Sequence, residues 1–312
     1  MHRIILDTDP GIDDALAFFL ALASPEDLKV EAVTTVSGNV GVELTTSNAL
    51  ALLTLAGRTD IPVARGCSLP LLRQQLKADY YHGRNGLGDV ALPPATIQPV
   101  AQHAAELIIE KVMSAPGEIT LVPIGPLTNI AMALRLEPRI AQYVREVVIM
   151  GGALRVPGNT SPAAEFNIYA DPHAAQIVFH AGWPIRLVSL DVTNKTYLRP
   201  EDFAALTAGG GRVKSFINQM IGYHLNKPQL ANTIPLFHMH DPLCLAIVFQ
   251  PDLITWQSVY ADVELAGTHT LGETVAYFDT DEAPGAPNIM APLAVDSERF
   301  VKLFMERVSK AF

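Results

Sequence analysis

Arg3-Ile4-Ile5-Leu6-Asp7-Thr8-Asp9-Pro10-Gly11-Ile12-Asp13-Asp14-Ala15 is a short apolar strand that leads directly into four carboxylates. A Pro-Gly turn separates the acids, and apolar residues at helical spacing follow them. A parallel strand that ends in this way places its polar residues at the carboxyl edge of a sheet, where open α/β proteins bind ligands. Clustered carboxylates repel one another unless a cation lies among them, and a hard divalent cation is the simplest candidate.

The composition limits the classes of protein that this chain can belong to. Its 312 residues suit one large α/β domain or two small ones, and 49% hydrophobic content predicts a substantial core. The net charge of −10 argues against nucleic acid as a partner. No apolar run approaches the roughly 20 residues of a membrane span, and no basic-then-apolar leader precedes the first strand. Two distant cysteines, Cys67 and Cys244, favour a reducing, cytoplasmic location.

Strand-like and helix-like segments alternate through the first two-thirds of the chain, which predicts an open, mostly parallel α/β sheet flanked by helices. The last third predicts extra β-structure and a closing helix from about Ser297. The predicted strands are Ile4–Asp7, Val30–Val36, Ile119–Ile124, Val147–Met150, Ile185–Leu190, Val259–Leu265 and Thr274–Phe278, with a helix at Thr45–Ala56. The irregular stretches Asp79–Pro94, Leu154–Pro162 and Asn226–His238 are interpreted as loops over a site.

Polar residues recur where the apolar strands end. They are Asp7, Asp9, Asp13, Asp14, Asn39, Thr128, Asn129, Asn159, Glu165, Asn167, His240 and Asp241. Any one of them is about as well explained as a turn former or a cap, because Asn and Asp favour those positions. Because several strands bring such groups to one edge of one sheet, a functional site is favoured.

The acids are expected to have different roles. We expect Asp7 to be structural, bonding backbone amides, while the turn brings Asp9 and Asp14 to one cation. Asp13 would then face substrate hydroxyls. Asp241 either completes the metal shell or caps the helix that has Pro242 in its first turn. Oxygen ligands suit Ca²⁺ or Mg²⁺ rather than zinc, and the residues alone leave both ions open.

Three of the nine histidines lie in segments near this edge. His82 follows two tyrosines in a glycine-rich loop, and His238 and His240 flank Met239 just before Asp241. A single histidine in a loop is more often solvated than functional. Two such loops beside an acidic site favour proton donation, for which histidine is suited near neutral pH.

These motifs resemble those of the inosine-uridine-type nucleoside hydrolases. Besides the first block, the similar segments, in family order, are Thr34–Asn39, His82-Gly83, Gly125–Asn129, Met150–Gly152, Ala164–Asn167, Asp171-Pro172 and His240–Pro242. The resemblance extends from residue 3 to about 300. It implies a single domain over 1–312 with the Rossmann-like nucleoside hydrolase fold. It also implies hydrolysis of the N-glycosidic bond of ribonucleosides to ribose and free base, in nucleoside salvage.

The resemblance also implies residue roles. A Ca²⁺ ion would be held by Asp9, Asp14, Asp241 and the backbone carbonyl of Ile124, together with the ribose 2′- and 3′-hydroxyls and the attacking water. Asp9 would be the general base for that water, and His240 the acid for the leaving base, with His82 near the base. The remaining ribose contacts implied by the family are Asp13, Asn39, Asn159, Glu165 and Asn167, with Phe166 beside the sugar. A homo-oligomer, dimer or tetramer, is implied in the same way.

The residues expected near the base bear on which base is preferred. The stretch Asn226–Phe237 lacks the aromatic-rich character found near the base in several relatives, and it is followed by His238. Purine-specific relatives use tryptophans around the base, whereas Trp183 and Trp256 are expected in the core here. Together with His240, these features favour a pyrimidine-preferring or broad hydrolase.

Two other classes of protein compete with this interpretation. A haloacid-dehalogenase-type phosphatase also begins with a strand followed by Asp-x-Asp, although Pro10-Gly11 and Asp13-Asp14 fit that family poorly. A non-catalytic nucleoside or sugar binder could use the same scaffold, although binding alone does not need a general base such as Asp9. Hydrolysis is favoured because several catalytic roles occur together.

Overall fold

The computed structural model describes residues 1–76, 78–226 and 236–312. The strands β1 to β11 are, in order, His2–Thr8, Leu28–Thr35, Val63–Arg65, Ile119–Pro123, Glu146–Met150, Ile185–Val188, Tyr197–Leu198, Phe237–His238, Ile254–Val263, Thr274–Tyr277 and Ile289–Val295. The helices α1 to α13 are Ile12–Leu22, Val42–Leu55, Asp79–His82, Ala104–Ser114, Thr128–Leu136, Ile140–Tyr143, Phe166–Ala170, Pro172–Phe179, Leu190–Thr193, Pro200–Thr207, Arg212–Leu225, His240–Phe249 and Ser297–Ala311. Within these ranges, no helix is long and apolar enough to cross a membrane.

A nine-stranded sheet forms the centre of the molecule, in the order β10-β9-β11-β6-β5-β4-β1-β2-β3. Neighbouring strands pair in parallel along the run β3-β2-β1-β4-β5-β6, and β6 also pairs in parallel with β11. Strands β11, β9 and β10 pair antiparallel and extend one edge. This confirms the predicted open, mostly parallel sheet with additional C-terminal β-structure. The strand order reverses direction between β1 and β4, which is where ligands bind in such sheets.

Both faces of the sheet are covered, which explains why its central strands are apolar without alternation. Along β1, Ile4 and Leu6 pack into a core formed with α1, α2, α11, α12 and α13. Ile5, between them, points to the opposite core, formed with α4, α5, α6 and α8. Because successive side chains of a strand face opposite ways, one strand contributes to both cores.

The C-terminal β-structure differs from the prediction in extent. Strand β9 begins at Ile254 rather than Val259, and β11 (Ile289–Val295) was missing from the prediction. The β11 segment contains Pro292, and its register with β9 shifts between Pro292 and Ala294. Proline within an apolar run argues against a strand in sequence reading, because it cannot donate to the ladder. Here the irregularity accommodates it.

Several predicted boundaries also shift. The strand predicted to run to Leu190 ends at Val188, because Leu190 already begins the short helix α9 with Ser189 at its N-cap. Helix α2 begins at Val42, three residues before the predicted start. Asp241 lies in the first turn of α12, whose N-cap is Met239, so the reading of Asp241 as an N-cap was wrong.

Two of the three segments predicted as loops over the site contain short regular elements. Asp79–His82 forms one helical turn. Phe237–His238 forms strand β8, which pairs with β7, so the end of the stretch predicted as a loop over 226–238 is not a loop. The remainder of that prediction, at 227–235, lies outside the described residues.

Candidate active site

A cavity of about 300 Å³ opens beside the carboxyl ends of β1, β4 and β5 and the N-terminus of α12. It contains most of the polar residues that the sequence singled out. The lining residues are Asp13, Asp14, Asn39, Ala78, Tyr80, Tyr81, His82, Ile124, Met150, Asn159, Thr160, Glu165, Phe166, Asn167, Asn194, His238, His240 and Asp241. A larger surface cavity around Cys67 and His103 contains none of these residues.

Three carboxylates meet in this cavity. Asp13, Asp14 and Asp241 each offer an oxygen within 4.8 Å of the others, and we call these three residues the carboxylate cluster. Burial and the neighbouring Asp14 raise the pKa of Asp13 to about 8. Burial, followed by the charges of Asp13, Asp14 and Asp9, raises the pKa of Asp241 well above its usual range. The cluster therefore retains protons near neutral pH unless a cation compensates its charge.

Asp9 lies just behind the cavity wall and is 1% exposed. Its Oδ2 accepts a hydrogen bond from the backbone amide of Asn39 at 2.7 Å. Its Oδ1 is buried and has no hydrogen-bond partner among the described residues. Burial, and next the charge of Asp14, raise the pKa of this carboxyl well above its usual range. Asp9 thus borders the carboxylate cluster and keeps one oxygen without a partner.

Two glycines make room for the Asp9 carboxylate. A β-carbon on Gly38 would lie 2.0 Å from Oδ2, and one on Gly125 would lie 2.4 Å from Oδ1. Both distances are far below van der Waals contact, so any larger residue at either position displaces the carboxylate or the backbone. The close approach explains why a glycine follows both β2 and β4 at the site.

Asn39 connects the two acids that the sequence assigned to a cation. Its Nδ2 donates to the backbone carbonyl of Asp9 at 3.1 Å and to Oδ2 of Asp14 at 3.2 Å. Asp14 also accepts from the hydroxyl of Thr8 and, at 2.9 Å, from the backbone amide of Gly11. The latter bond fixes Asp14 at the N-terminus of α1, where the helix dipole favours negative charge.

The carbonyl of Ile124 reaches the cavity from the end of β4. It accepts a hydrogen bond from Nδ2 of Asn167 at 3.0 Å, and the same amide lies 3.2 Å from the carbonyl of Met150. A carbonyl oxygen has two lone pairs, so the bond to Asn167 leaves one for another ligand. Asn167 therefore fixes the loops that follow β4 and β5 beside the carboxylate cluster.

Glu165, Asn159 and Phe166 form the side of the cavity that follows β5. The Glu165 carboxylate accepts from the backbone amides of Gly152, Asn167 and Ile168 at 2.8–3.1 Å, so it also caps helix α7. Burial still raises the pKa of Glu165. Asn159, exposed at the rim, accepts from the amide of Phe166 at 2.9 Å.

Two of the predicted histidines are held by specific bonds. Nδ1 of His82 accepts from the backbone amide of Ile12 at 3.0 Å, which fixes His82 over the start of α1. Nδ1 of His240 lies 2.7 Å from the hydroxyl of Thr193. Burial, together with His238, lowers the pKa of His240 to about 3. His240 is therefore neutral at physiological pH, whereas the sequence suggested a histidine able to carry a proton there.

Other polar residues at strand ends do not reach the cavity. Asp7 is buried and accepts from the side chains of Thr34 and Asn129, not from the backbone amides that we expected. Thr128 donates to Asp171 at 2.7 Å, away from the cavity. Trp183 is buried in one core, as expected, and Trp256 is half-buried against the core on the opposite face of the sheet.

Sequence reading missed several residues of the site. Thr8 and Thr193 were not singled out, although their hydroxyls contact Asp14 and His240. Tyr80 and Tyr81 line the cavity beside His82, and Asn194 lines it after helix α9. Thr193 and Asn194 follow a strand in the way that other site residues do. The predicted extension of that strand to Leu190 obscured this signal.

The donor set at this site fits a hard divalent cation. It consists of carboxylate and carbonyl oxygens, which suit Ca²⁺ or Mg²⁺ better than zinc. Neither lysine nor arginine occurs among the described residues that line the cavity. The unpartnered Oδ1 of Asp9 and the raised pKa values of the acids indicate negative charge that the protein itself does not balance.

Comparisons with known proteins agree with this geometry. Residues 4–302 match the inosine-uridine preferring nucleoside hydrolase family. The chain is 39% identical to the probable uridine nucleosidase 2 of Arabidopsis thaliana, with 99% of this chain and 98% of that protein aligned. It is 40% identical to the pyrimidine-specific ribonucleoside hydrolase RihA of Citrobacter koseri, over 98% and 97% of the two chains.

A solved structure extends the agreement to three dimensions. The purine-preferring ribonucleoside hydrolase of Gardnerella vaginalis superposes with a TM-score of 0.93 at 32% identity, over 99% of this chain and 98% of that one. These relatives are nucleoside hydrolases rather than phosphatases, and they differ in the bases named for them. The family resemblance predicted from the motifs is confirmed. The chain therefore belongs to the inosine-uridine preferring nucleoside hydrolases, a family of metal-dependent N-glycosyl hydrolases.

Proposed function

We propose that this protein cleaves the N-glycosidic bond of ribonucleosides by attack of a water molecule from which Asp9 takes the proton. The observation that carries the proposal is the carboxylate cluster in a cavity that also contains His82 and His240. The raised pKa of Asp9 supports its role as a base, because a carboxyl of raised pKa is a stronger proton acceptor when ionised. A second observation is that Oδ1 of Asp9 has no hydrogen-bond partner among the described residues, so its lone pairs remain available for that contact.

We assign the cation as Ca²⁺, held by Asp9, Asp14, Asp241 and the carbonyl of Ile124. Asp14 and Asp241 belong both to the carboxylate cluster and to the set implied by the family resemblance. Asp13 faces the same space, from which its carboxylate can accept hydrogen bonds from ribose hydroxyls. When bound, the ion would supply a Lewis acid that lowers the pKa of a neighbouring water and fixes the ribose.

The remaining polar residues would bind and stabilise the sugar. Cleavage of a glycosidic bond passes through an oxocarbenium-like sugar, which carries positive charge. Glu165 and the amide oxygens of Asn39, Asn159 and Asn167 place negative potential around that position, and Phe166 packs beside it. Since the backbone fixes Glu165, its carboxylate needs no rearrangement as the charge develops.

His240 would assist departure of the base through its Nε2. If the hydroxyl of Thr193 donates to Nδ1, the proton of the neutral ring resides on Nε2, which then donates to the leaving base. Because the pKa of His240 is lowered, the donor of this hydrogen bond is a neutral imidazole ring. His82, fixed by the amide of Ile12, also lines the cavity and would contact the base.

A pyrimidine-preferring or broad base specificity is the preference that we propose. The Arabidopsis and Citrobacter relatives named above act on uridine and on pyrimidine ribonucleosides by their names, which supports it. Trp183 and Trp256 lie outside the cavity lining, so neither stacks on a purine there. The aromatic groups that the described residues provide are two tyrosines and one phenylalanine.

Initial rates of ribose release from uridine, cytidine, inosine and adenosine would test the proposal. We expect uridine or cytidine to have the highest kcat/KM, with inosine second or equal. A protein that releases ribose from adenosine alone would contradict the proposed preference. Tight nucleoside binding without any ribose release would contradict hydrolysis and support the binding protein considered above.

We further propose a single domain over 1–312, a homo-oligomeric state and a cytoplasmic location. Cys67 and Cys244 are free thiols, which is typical of a reducing compartment. Leu69 and Leu72 expose 59% and 74% of their surface on one loop, and exposed apolar groups are typical of subunit contacts. Light scattering coupled to gel filtration would measure the mass in solution, and a monomer would contradict the proposed assembly.

A further inference from the structure

His238 faces the active-site cavity because of its place on a short strand. Strand β8 pairs antiparallel with β7, with His238 opposite Tyr197 and Phe237 opposite Leu198. Successive side chains of a strand point to opposite sides. Phe237 is fully buried and packs edge-on against Phe203, so His238 is directed the other way, into the cavity. Its position is thus fixed by backbone pairing rather than by a loop.

His238 contacts His240 in the lining of the cavity. Its ring stacks on that of His240, with centroids 5.5 Å apart and an interplanar angle of 26°. His240 in turn precedes Asp241 of the carboxylate cluster. Burial alone lowers the pKa of His238, and none of the described carboxylates acts on it. If the ribose lies at the carboxylates, His238 lies beyond His240, toward the far edge of the base.

One nitrogen of His238 lacks a partner. Nδ1 is buried and has no hydrogen bond from residues 1–76, 78–226 or 236–312. A buried polar nitrogen without a partner is unfavourable, and the ring that carries it lines the cavity, where a ligand can form a hydrogen bond to the ring. Since the lowered pKa keeps the ring neutral, one nitrogen donates and the other accepts. Such a ring can recognise either an oxo or an amino group.

We propose that His238 is a specificity-determining residue that hydrogen-bonds the heteroatom on the outer edge of the base. That heteroatom is the 4-oxo or 4-amino group of a pyrimidine, or the 6-oxo group of a hypoxanthine. The proposal rests on the proposed hydrolysis of nucleosides and adds to it the residue that recognises the base. The neutral ring tolerates both uracil and cytosine, in accord with a broad pyrimidine preference.

The experiment compares nucleosides with analogues that lack only this heteroatom. Uridine is paired with pyrimidin-2-one riboside, and inosine with purine riboside. The variant His238→Phe keeps an aromatic ring that can stack on His240 but removes both nitrogens. His180→Phe makes the same change at a half-exposed histidine that contacts Asp262, away from the cavity, and serves as the matched control. Circular dichroism and thermal unfolding verify that both variants fold.

In His238→Phe we expect kcat/KM for uridine and inosine to fall about three- to tenfold, the loss of one neutral hydrogen bond. For the two analogues kcat/KM should stay unchanged, so the preference for the heteroatom decreases by the same factor. His180→Phe should leave every ratio as in the wild type. Equal losses for nucleosides and analogues, or no loss for either, would overturn the assignment. A wild-type protein that releases no ribose would instead overturn the proposed function itself.

Discussion

At the scale of single residues, the site depends on glycines as much as on acids. The Asp9 carboxylate lies against the α-carbons of Gly38 and Gly125, and each glycine would place a β-carbon within 2.4 Å of it. A carboxylate held this closely has little freedom to move. The orientation that leaves Oδ1 without a partner is therefore set by backbone packing, and not only by the amide of Asn39.

Gly125→Ala is expected to reduce kcat strongly while the protein still folds. The new methyl group would displace Asp9 from its position, and general-base catalysis contributes about 10²–10⁴-fold. Steady-state ribose release from uridine would measure the loss. Gly222→Ala is the control, because Gly222 lies within helix α11 and no described residue outside that helix comes within 4 Å of the added carbon. That change should leave kcat unchanged and raise stability by about 0.5–1 kcal/mol. Wild-type turnover in Gly125→Ala would contradict the role given to Asp9.

The sequence predicted the acids and histidines of the site better than their partners. Asp14, Asp241, His82 and His240 could be singled out because several acids and histidines recur near the ends of different predicted strands. The hydroxyl of Thr193 is different, since a threonine after a strand has many ordinary explanations. The charge state of His240 could not be predicted from the sequence either, because it depends on burial that only the folded chain creates.

At the scale of elements, two helix N-termini bring the carboxylate cluster together. Helix α1 contributes Asp13 and Asp14, and helix α12 contributes Asp241. The positive ends of the helix dipoles offset part of the repulsion among the acids, typically by less than about 1 kcal/mol each. Since burial raises the pKa of Asp13 to about 8, the dipoles alone do not keep the cluster ionised.

Metal affinity is therefore expected to rise with pH. Carboxyl groups that hold protons near neutrality must release them when a cation binds, because ligands bind as carboxylates. Calorimetric titration of chelator-treated protein with Ca²⁺, in two buffers of different ionisation enthalpy, would count the released protons. We expect protons to be released when Ca²⁺ binds at pH 6. Fewer should be released at pH 9, because that pH is above the pKa of about 8 for Asp13. Zero release at both values would contradict the raised pKa values.

The stability of chelator-treated protein should decrease as pH rises, whereas metal affinity increases. A carboxyl whose pKa is higher in the folded than in the unfolded state binds more protons when folded. The free energy of unfolding then decreases as pH rises from about 4, the unfolded pKa, toward about 8. Urea titrations over this range would measure it, and added Ca²⁺ should reverse the decrease. Stability that rises steadily across this range without metal would contradict the account.

The C-terminal helix α13 is expected to contribute strongly to stability. Phe300, Phe304 and Val308 lie four residues apart and are fully buried against α1, α10 and α12. Phe304→Ala should reduce the free energy of unfolding by about 3–5 kcal/mol. Lys302→Ala, on the exposed side of the same helix, should change it by less than about 0.5 kcal/mol. Chemical denaturation would compare the two, and equal effects would contradict the assigned packing.

The elements that the sequence predicted best are those with long, uninterrupted apolar patterns. Strands β1, β4 and β5 were placed within two residues, since both of their faces are buried and their one proline, Pro123, is the last residue of β4. Strand β11 was missed because Pro292 interrupts its pattern and a shift in register accommodates it only in the folded sheet. Pairing partners, unlike apolar runs, are distant in sequence and leave no local signal.

At the scale of the whole molecule, the order of the strands determines where the candidate active site lies. Helices leave the sheet in opposite directions after β1 and β4, which opens a crevice between them. Asp9, Asp13 and Asp14 follow β1, the carbonyl of Ile124 follows β4, and helix α12 contributes Asp241 to the same crevice. The fold therefore determines where ligands bind, while the side chains at this edge determine which reaction takes place.

The most direct test of metal-dependent hydrolysis with Asp9 as base is ribose release from uridine before and after chelation. We expect EDTA to abolish turnover and Ca²⁺ to restore it, while Asp9→Asn lowers kcat by about 10²–10⁴-fold even with Ca²⁺ present. Asp252→Asn, an exposed carboxylate far from the cavity, should retain the wild-type rate. Full turnover in excess EDTA, or a wild-type rate in Asp9→Asn, would contradict the account.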